Sequence, residues 1–164
     1  MLTQKTLDEA AALLAALQER GLTLATAESC TGGLISAALT AIPGSSATLL
    51  AGYVTYSNAA KTRMVGVPPA LFEARGAVSE PVARQMAQGA LADAGADIAV
   101  SCTGIAGPGG GSAAKPVGLV FIGCARRGAV TEVERHVFPG DRTAIRAATV
   151  DAAFGMIRLA LSAR

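Results

Sequence analysis

The strongest constraint on the fold lies in residues 26–33, TAESCTGG, where an apolar, β-branched run gives way to a helical pattern. A strand that turns directly into a helix places its turn residues at the helix N-terminus. Backbone N–H groups are free there, and the helix dipole is positive. Ser29 lies in this turn. Its hydroxyl either caps the helix, a common role for serine, or acts as a nucleophile where a developing anion is stabilised. The stretch alone leaves both interpretations open.

Composition predicts one globular domain over residues 1–164, because 51% of the residues are hydrophobic and only 16% are charged. The net charge of +2, without a basic stripe, argues against nucleic-acid binding. No apolar run approaches the roughly 20 residues that a membrane span needs, and the N-terminus lacks a signal-peptide pattern. Three cysteines without CxxC spacing predict buried, reduced thiols rather than disulfides or a zinc site. We therefore expect a soluble, cytoplasmic protein without membrane contacts.

Hydrophobic periodicity predicts alternating helices and strands. A capping box in residues 6–9 begins the first helix, and Pro81 lies in the first turn of a later one. The predicted strands cover residues 22–27, 48–56, 97–102, 117–125 and 130–138, and helices follow Ser29, Ser57 or Asn58, Pro68, Ser79 and Asp141. The last two strands read as an antiparallel hairpin. The expected fold is a three-layer α/β/α sandwich with a mixed, mostly parallel sheet.

Candidate bases for a serine nucleophile are few. The single histidine, His136, lies in an alternating strand and is expected on its surface, so neither a Ser-His-Asp triad nor a histidine metal site is predicted. Lysine is the known substitute base. Of three lysines, Lys61 follows a buried-looking strand, and desolvation would lower its pKa. The alternative interpretation is that Lys61 is a solvated residue on the surface of a helix. Tyr56 is either a proton-relaying partner or a core ring with a satisfied hydroxyl.

A glycine-rich loop, residues 103–112, follows the buried strand 97–102. It matches neither the GxxxxGK[ST] nor the GxGxxG nucleotide fingerprint. In an α/β sheet, however, a loop after the carboxyl end of a buried strand lies at the usual ligand crevice. The loop is therefore either a ligand-binding segment or a plain connector.

Five segments, taken in order, carry a resemblance to a known family. They are residues 27–33 (AESCTGG), 52–58 with Lys61 (GYVTYSN…K), 76–82 (GAVSEPV), 104–108 (GIAGP) and 115–118 (KPVG). Together they closely resemble the CinA carboxy-terminal domain family, whose characterised members are nicotinamide-nucleotide amidases. The likeness runs from near Leu7 to beyond Arg146. Because the family's separate amino-terminal domain is missing here, we expect the stand-alone form.

The resemblance implies hydrolysis of nicotinamide mononucleotide to nicotinate mononucleotide and ammonia, with no metal and no cofactor. Ser29 is then the nucleophile, Lys61 the general base and Tyr56 the proton-relaying partner. We expect five further substrate contacts near the helix N-terminus and in the glycine-rich loop: Thr31, Gly32, Thr103, Gly104 and Gly107. Arg142, at the start of the last helix, is the candidate for the phosphate, with a surface salt bridge as the alternative. A homodimer is also expected.

Three alternatives stay open. The domain could be a non-catalytic nucleotide-binding module associated with competence or the DNA-damage response. It could also be an amidase with another substrate. Finally, Cys30 rather than Ser29 could be the nucleophile, although the side chains of neighbouring residues should point apart.

Overall fold

The computed structural model describes residues 2–162 and shows helices and strands alternating as expected. The strands are β1 (Leu24–Glu28), β2 (Leu49–Val54), β3 (Ile98–Gly104), β4 (Leu119–Arg126) and β5 (Glu132–Val137). The helices are α1 (Gln4–Glu19), α2 (Leu34–Thr40), α3 (Asn58–Val65), α4 (Pro69–Arg75), α5 (Glu80–Ala94) and α6 (Arg142–Ser162), with a short 3-10 helix at Ser45–Ala47.

One five-stranded sheet, in the order β2-β1-β3-β4-β5, forms the middle layer. Strand β1 pairs in parallel with both β2 and β3, so that Ala27 lies opposite Tyr53 on one side and Ser101 on the other. Strand β4 pairs antiparallel with both β3 and β5. Four strands therefore share one direction, which confirms the predicted mixed, mostly parallel sheet with an antiparallel hairpin.

Helices cover both faces of the sheet and confirm the three-layer sandwich. On one face, α1, α2 and α6 pack over a core that includes Leu14, Ile35 and Phe154. On the other face, α3 and α5 cover a smaller core that includes Val65 and Met86. All three cysteines are buried and free, as expected. Within residues 2–162, every helix is too short or too polar to cross a membrane.

Some element boundaries differ from the prediction. Helix α1 begins at Gln4, one turn before the predicted capping box, because Thr3 caps it by accepting from Thr6 N at 3.1 Å. Thr6 is instead buried inside the helix. Ser57 caps α3 by accepting from Ala60 N at 3.1 Å, which decides between the two predicted caps.

His136 lies on the edge strand β5, as predicted. Its ring stacks on Phe138 with centroids 4.8 Å apart, and Nε2 is 2.8 Å from a carboxylate oxygen of Glu134. These contacts make it a structural residue of the sheet edge.

Candidate active site

The carboxyl ends of the three parallel strands β1, β2 and β3 meet at one edge of the sheet. Ser29 directly follows β1, Thr55 directly follows β2, and Gly104 ends β3. The backbone fixes their alignment, because Ser29 N donates to Cys102 O at 3.1 Å and Thr55 N donates to Glu28 O at 2.8 Å. Ligands of open α/β sheets bind at this edge. The strand order therefore gathers segments that are far apart in sequence into one site.

Lys61 and Ser29 form the centre of this site. The Lys61 Nζ lies 3.0 Å from Ser29 Oγ and donates to Thr55 O at 2.8 Å. The side chain of Lys61 is 2% exposed, so the interpretation as a solvated helix residue is wrong. The interpretation of Ser29 as a helix cap is also wrong, because Gly33, with a φ of 96°, is the N-cap of α2. The two residues are placed as a nucleophile and its base would be.

Burial sets the electrostatics of Lys61. Desolvation lowers the pKa of its amine, while the neighbouring thiols of Cys102 and Cys30 act in the opposite direction. Within residues 2–162, no carboxylate forms an ion pair with Lys61. A buried lysine held without a carboxylate counter-ion loses its proton more easily and becomes a usable base.

Glu28, the residue before Ser29, is a fully buried carboxylate on which five donors converge. One oxygen accepts from Thr31 Oγ1 at 2.6 Å, Gly33 N at 3.1 Å and Ile35 N at 3.0 Å. The other accepts from the backbone N and the hydroxyl of Ser36, at 2.8 and 3.0 Å. The acid at the end of β1 thus caps α2 and fixes the turn that carries Ser29.

This capping corrects the expectation that the helix N-terminus after Ser29 faces the substrate. The N–H groups at the start of α2 are bonded to Glu28 and are not available to an oxyanion. Thr31 is fully buried with its hydroxyl on Glu28, and its carbonyl accepts from Arg146 at 2.7 Å. Neither Thr31 nor Gly32 lines the cavity beside Ser29.

A cavity of about 230 Å³ opens beside Ser29 and Lys61. Of the nine site residues predicted from the sequence, six line it: Ser29, Tyr56, Lys61, Thr103, Gly104 and Arg142. Gly107 does not, and it contributes its carbonyl as an acceptor for Arg142 at 3.0 Å. The structure therefore brings most of the predicted site together and excludes Thr31, Gly32 and Gly107 from the cavity wall.

Tyr56 and Arg142 lie together at the mouth of the cavity. The Tyr56 side chain is 62% exposed, so the interpretation as a core ring is wrong. Its hydroxyl accepts from Arg142 at 3.0 Å, and within residues 2–162 that is its hydrogen-bond partner. The described carboxylates form no ion pair with Arg142, so the salt-bridge alternative is wrong as well.

The end of β3 forms the opposite wall of the cavity. The Thr103 hydroxyl donates to Ala77 O at 2.8 Å, which attaches the wall to the segment before α5. At Gly104, a Cβ would come within 2.6 Å of Val120 Cγ2 and 2.8 Å of Leu119 O. Glycine is therefore required where β3 meets β4, and the wall beside Ser29 is bare backbone.

Cys30 lines the same cavity but is a poor candidate for the nucleophile. Its hydrogen bond with Cys102, together with burial, raises the pKa of the Cys30 thiol well above its usual range. The reactive form of cysteine is the thiolate, so a protonated thiol is inert by comparison. The geometry favours Ser29, because the Lys61 amine is directed at its hydroxyl.

Three contacts of the site were not predicted from the sequence. Glu28 lies inside the motif of residues 26–33, and a lone acid at the end of an apolar strand is the signal that indicates it. The Thr55 carbonyl that holds Lys61 has no sequence signal, because any residue supplies a carbonyl. Arg146, which holds the turn through Thr31 O, looked like an ordinary residue of a long helix.

Comparisons with known proteins agree on the family. A family model described as the CinA C-terminal domain matches residues 6–161. A CinA-like protein from Geobacter sp. is 54% identical over 158 residues, which cover 96% of this chain and 37% of that protein. A CinA-like protein from Chlorobaculum tepidum is 61% identical over 130 residues, which cover 77% of this chain and 31% of that protein. The chain thus spans about a third of the length of these curated relatives.

Solved structures give the same result over the whole fold. The competence/damage inducible protein CihA from Agrobacterium tumefaciens superposes with a TM-score of 0.95 at 45% identity, covering 99% of both chains. The competence damage-inducible protein A from Klebsiella pneumoniae superposes with a TM-score of 0.91 at 39% identity, covering 96% of this chain and 97% of that one. With this match in sequence and in fold, the chain belongs to the CinA C-terminal domain family.

Proposed function

We propose that this protein is an amidohydrolase that deamidates nicotinamide mononucleotide, with Ser29 as the nucleophile and Lys61 as its general base. The observation that carries the proposal is the 3.0 Å contact between Lys61 Nζ and Ser29 Oγ at the floor of a cavity. The substrate is the one that the family resemblance implies. A lysine base deprotonating a serine is an established variant of nucleophilic amide hydrolysis.

The reaction proceeds through an acyl-enzyme. The neutral amine of Lys61 takes the proton of Ser29 as Oγ attacks the carboxamide carbon, and a tetrahedral intermediate forms. The Lys61 ammonium then donates that proton to the departing amide nitrogen, the C–N bond breaks and ammonia leaves. Water attacks the resulting ester with Lys61 again as base, which releases nicotinate mononucleotide and restores Ser29. The Thr55 carbonyl keeps Nζ pointed at Ser29 throughout.

The oxyanion of the tetrahedral intermediate needs N–H donors other than those of α2. We assign the binding of the oxyanion to the backbone of the Thr103–Gly104 segment, which forms a wall of the cavity. Preorganised donors of this kind contribute about 3–4 kcal/mol each to catalysis in other hydrolases. Tyr56 and Arg142 are bonded to each other at the mouth, a position from which they contact the entering substrate rather than relay the proton of Lys61.

Ammonia release from nicotinamide mononucleotide by the purified protein tests the proposal. We expect turnover by the wild type and by Cys30→Ser, because the Cys30 thiol is not the nucleophile. Thiol alkylation should cause no loss of turnover, because a buried thiol with a raised pKa reacts slowly with the reagent. Ammonia release from other carboxamides but not from the mononucleotide would show that the protein is an amidase with another substrate. Stabilisation of the fold by the mononucleotide without turnover would favour the non-catalytic binding module.

The pH dependence of kcat/KM tests the role of Lys61. The free amine is the active form, so kcat/KM should rise with pH and level off above the pKa of Lys61. Since burial lowers that pKa, the inflection should lie below the ordinary lysine value of about 10.4. Lys61→Arg should be inactive at every pH, because a guanidinium stays protonated. An inflection at or above the ordinary value would contradict a desolvated base.

The same shift makes a separate prediction for stability. Between the lowered pKa of folded Lys61 and its ordinary value, the unfolded chain binds more protons at this site than the folded chain does. The free energy of unfolding should therefore increase as the pH rises through this range. Denaturant titrations of the wild type and Lys61→Met at several alkaline pH values measure this. The methionine variant, which lacks the titrating group, should not show that contribution. An equal rise in both proteins would assign the effect to other groups.

A further inference from the structure

We propose that a basic groove beside the catalytic cavity binds the phosphate of the mononucleotide substrate. The groove has a volume of about 430 Å³ and contains three cationic side chains: Arg75, Lys115 and Arg135. The inference rests on the proposed function, since it names the part of the chain that recognises the charged end of that substrate.

Within residues 2–162, no carboxylate forms an ion pair with the three cations of this basic groove. Among residues 2–162, neither Arg75 nor Arg135 has an ion pair or a hydrogen bond from its guanidinium. Lys115 Nζ donates to the carbonyl of Arg75 at 2.7 Å, which holds the ammonium at the groove. The one carboxylate in the lining, Glu80, is paired with Arg84 at 2.7 Å. Unpaired guanidinium groups are suited to bidentate contacts with phosphate oxygens.

The groove lies next to the place where the chemistry occurs. Ala77 and Val78 line the catalytic cavity, and Val78 also lines the basic groove. The two spaces are therefore neighbours on the segment between α4 and α5. In a pyridine mononucleotide the carboxamide and the phosphate are at opposite ends, separated by the pyridine ring and the ribose. A substrate with its carboxamide at Ser29 can extend past Val78 and place its phosphate among the cations.

The rival position for the phosphate is Arg142, which was predicted from the sequence. Two of the five N–H donors of its guanidinium already bind Gly107 O and the Tyr56 hydroxyl, each at 3.0 Å. The adjacent Asp141 caps α6 by accepting from Ala144 N at 2.8 Å, so that helix start carries its own carboxylate. An incoming phosphate would share a guanidinium that already holds two acceptors and would meet the like charge of Asp141, whereas the guanidinium groups of Arg75 and Arg135 have no partner among residues 2–162.

Binding of ribose 5-phosphate, measured by isothermal titration calorimetry, tests the basic groove without depending on turnover. We expect Arg75→Gln and Arg135→Gln each to weaken binding by about tenfold, the loss of one charge-assisted hydrogen bond. Arg158→Gln, an exposed arginine on α6, is the matched control and should bind as the wild type does. Unchanged binding in both groove variants would overturn the inference, as would a loss confined to Arg142→Gln.

Kinetics separate this inference from the proposed function. The groove variants should lower kcat/KM for nicotinamide mononucleotide by about tenfold and leave it unchanged for nicotinamide riboside, which has no phosphate. Equal losses on both substrates would contradict phosphate binding in the groove. If the wild type released no ammonia from either compound, the proposed function would fail, and the ribose 5-phosphate titrations would still decide whether the groove binds phosphate.

Discussion

Replacing Ser29 with alanine should lower the rate of ammonia release from nicotinamide mononucleotide by at least about 10³-fold, as the loss of a catalytic nucleophile does in other hydrolases. The change removes the atom that attacks the carboxamide, and Lys61 then has no hydroxyl to deprotonate. The effect should fall on kcat with little change in KM, because Ser29 forms one wall of the cavity and the remaining walls are intact. Single-turnover measurements at saturating substrate would show the loss directly.

The stability of Ser29→Ala should remain within about 1 kcal/mol of the wild type, because one partly exposed hydroxyl is lost and Lys61 keeps its bond to Thr55 O. Ser46→Ala, at an exposed serine in the 3-10 helix, is the matched control and should retain full activity. A folded Ser29→Ala variant with wild-type turnover would end the covalent mechanism. Ammonia release that then disappeared on thiol alkylation would transfer the role to Cys30.

The pairing of Ser29 with Lys61 was predicted through the family resemblance, because the residue pattern alone left open a helix-capping serine and a solvated lysine. Hydrophobic periodicity predicted the strands before Ser29 and Lys61. The structure shows that the parallel strands bring these residues, 32 positions apart, to one edge of the sheet. Their burial and the 3.0 Å contact required the tertiary structure, because the exposure of a lysine depends on what packs around it.

The hydrogen-bond acceptor of the α2 N–H groups could not be predicted from the sequence. The pattern of residues 29–33 indicates a helix start but does not say which acceptor it meets. Glu28 reaches these groups because its strand ends directly beneath the helix, a matter of distances between elements. The fold could be predicted because it follows from hydrophobic periodicity over many residues. Thr31 and Gly32 were predicted to line the site and do not, because single hydrogen bonds decide which way the turn faces.

The contacts of Tyr56 and Arg142 show a similar limit. Both were predicted at the site and both line the cavity, but the hydrogen bond between them joins residues 86 positions apart. Within residues 2–162 the Tyr56 hydroxyl is bonded to Arg142, whereas Lys61 Nζ is bonded to Ser29 Oγ and Thr55 O. Proximity to the site was predictable from the motifs, whereas the partner of each side chain was not.

Replacing Glu28 with alanine should destabilise the fold by about 3–5 kcal/mol, the usual cost of removing one member of a buried charged network. The Glu28 carboxylate is fully buried, and its loss leaves three backbone N–H groups at the turn and α2 start without their acceptor, together with the hydroxyls of Thr31 and Ser36. For a chain of this size the melting temperature should fall by roughly 6–20 °C. Thermal and denaturant unfolding measure the change.

A second variant, Glu28→Gln, separates the hydrogen bonds from the volume of the side chain. Every partner of Glu28 is a donor, and an amide nitrogen accepts no hydrogen bond, so glutamine should satisfy only one of the two groups of donors and lose part of the stability. Activity measured well below the melting temperature should fall in kcat, because the turn that holds Ser29 is released. Glu73→Ala, at an exposed carboxylate on α4, should remain within about 0.5 kcal/mol of the wild type. Wild-type stability in both Glu28 variants would show that the capping contacts do not hold the nucleophile turn, and the position of Ser29 would then depend on Arg146 and the strand bonds alone.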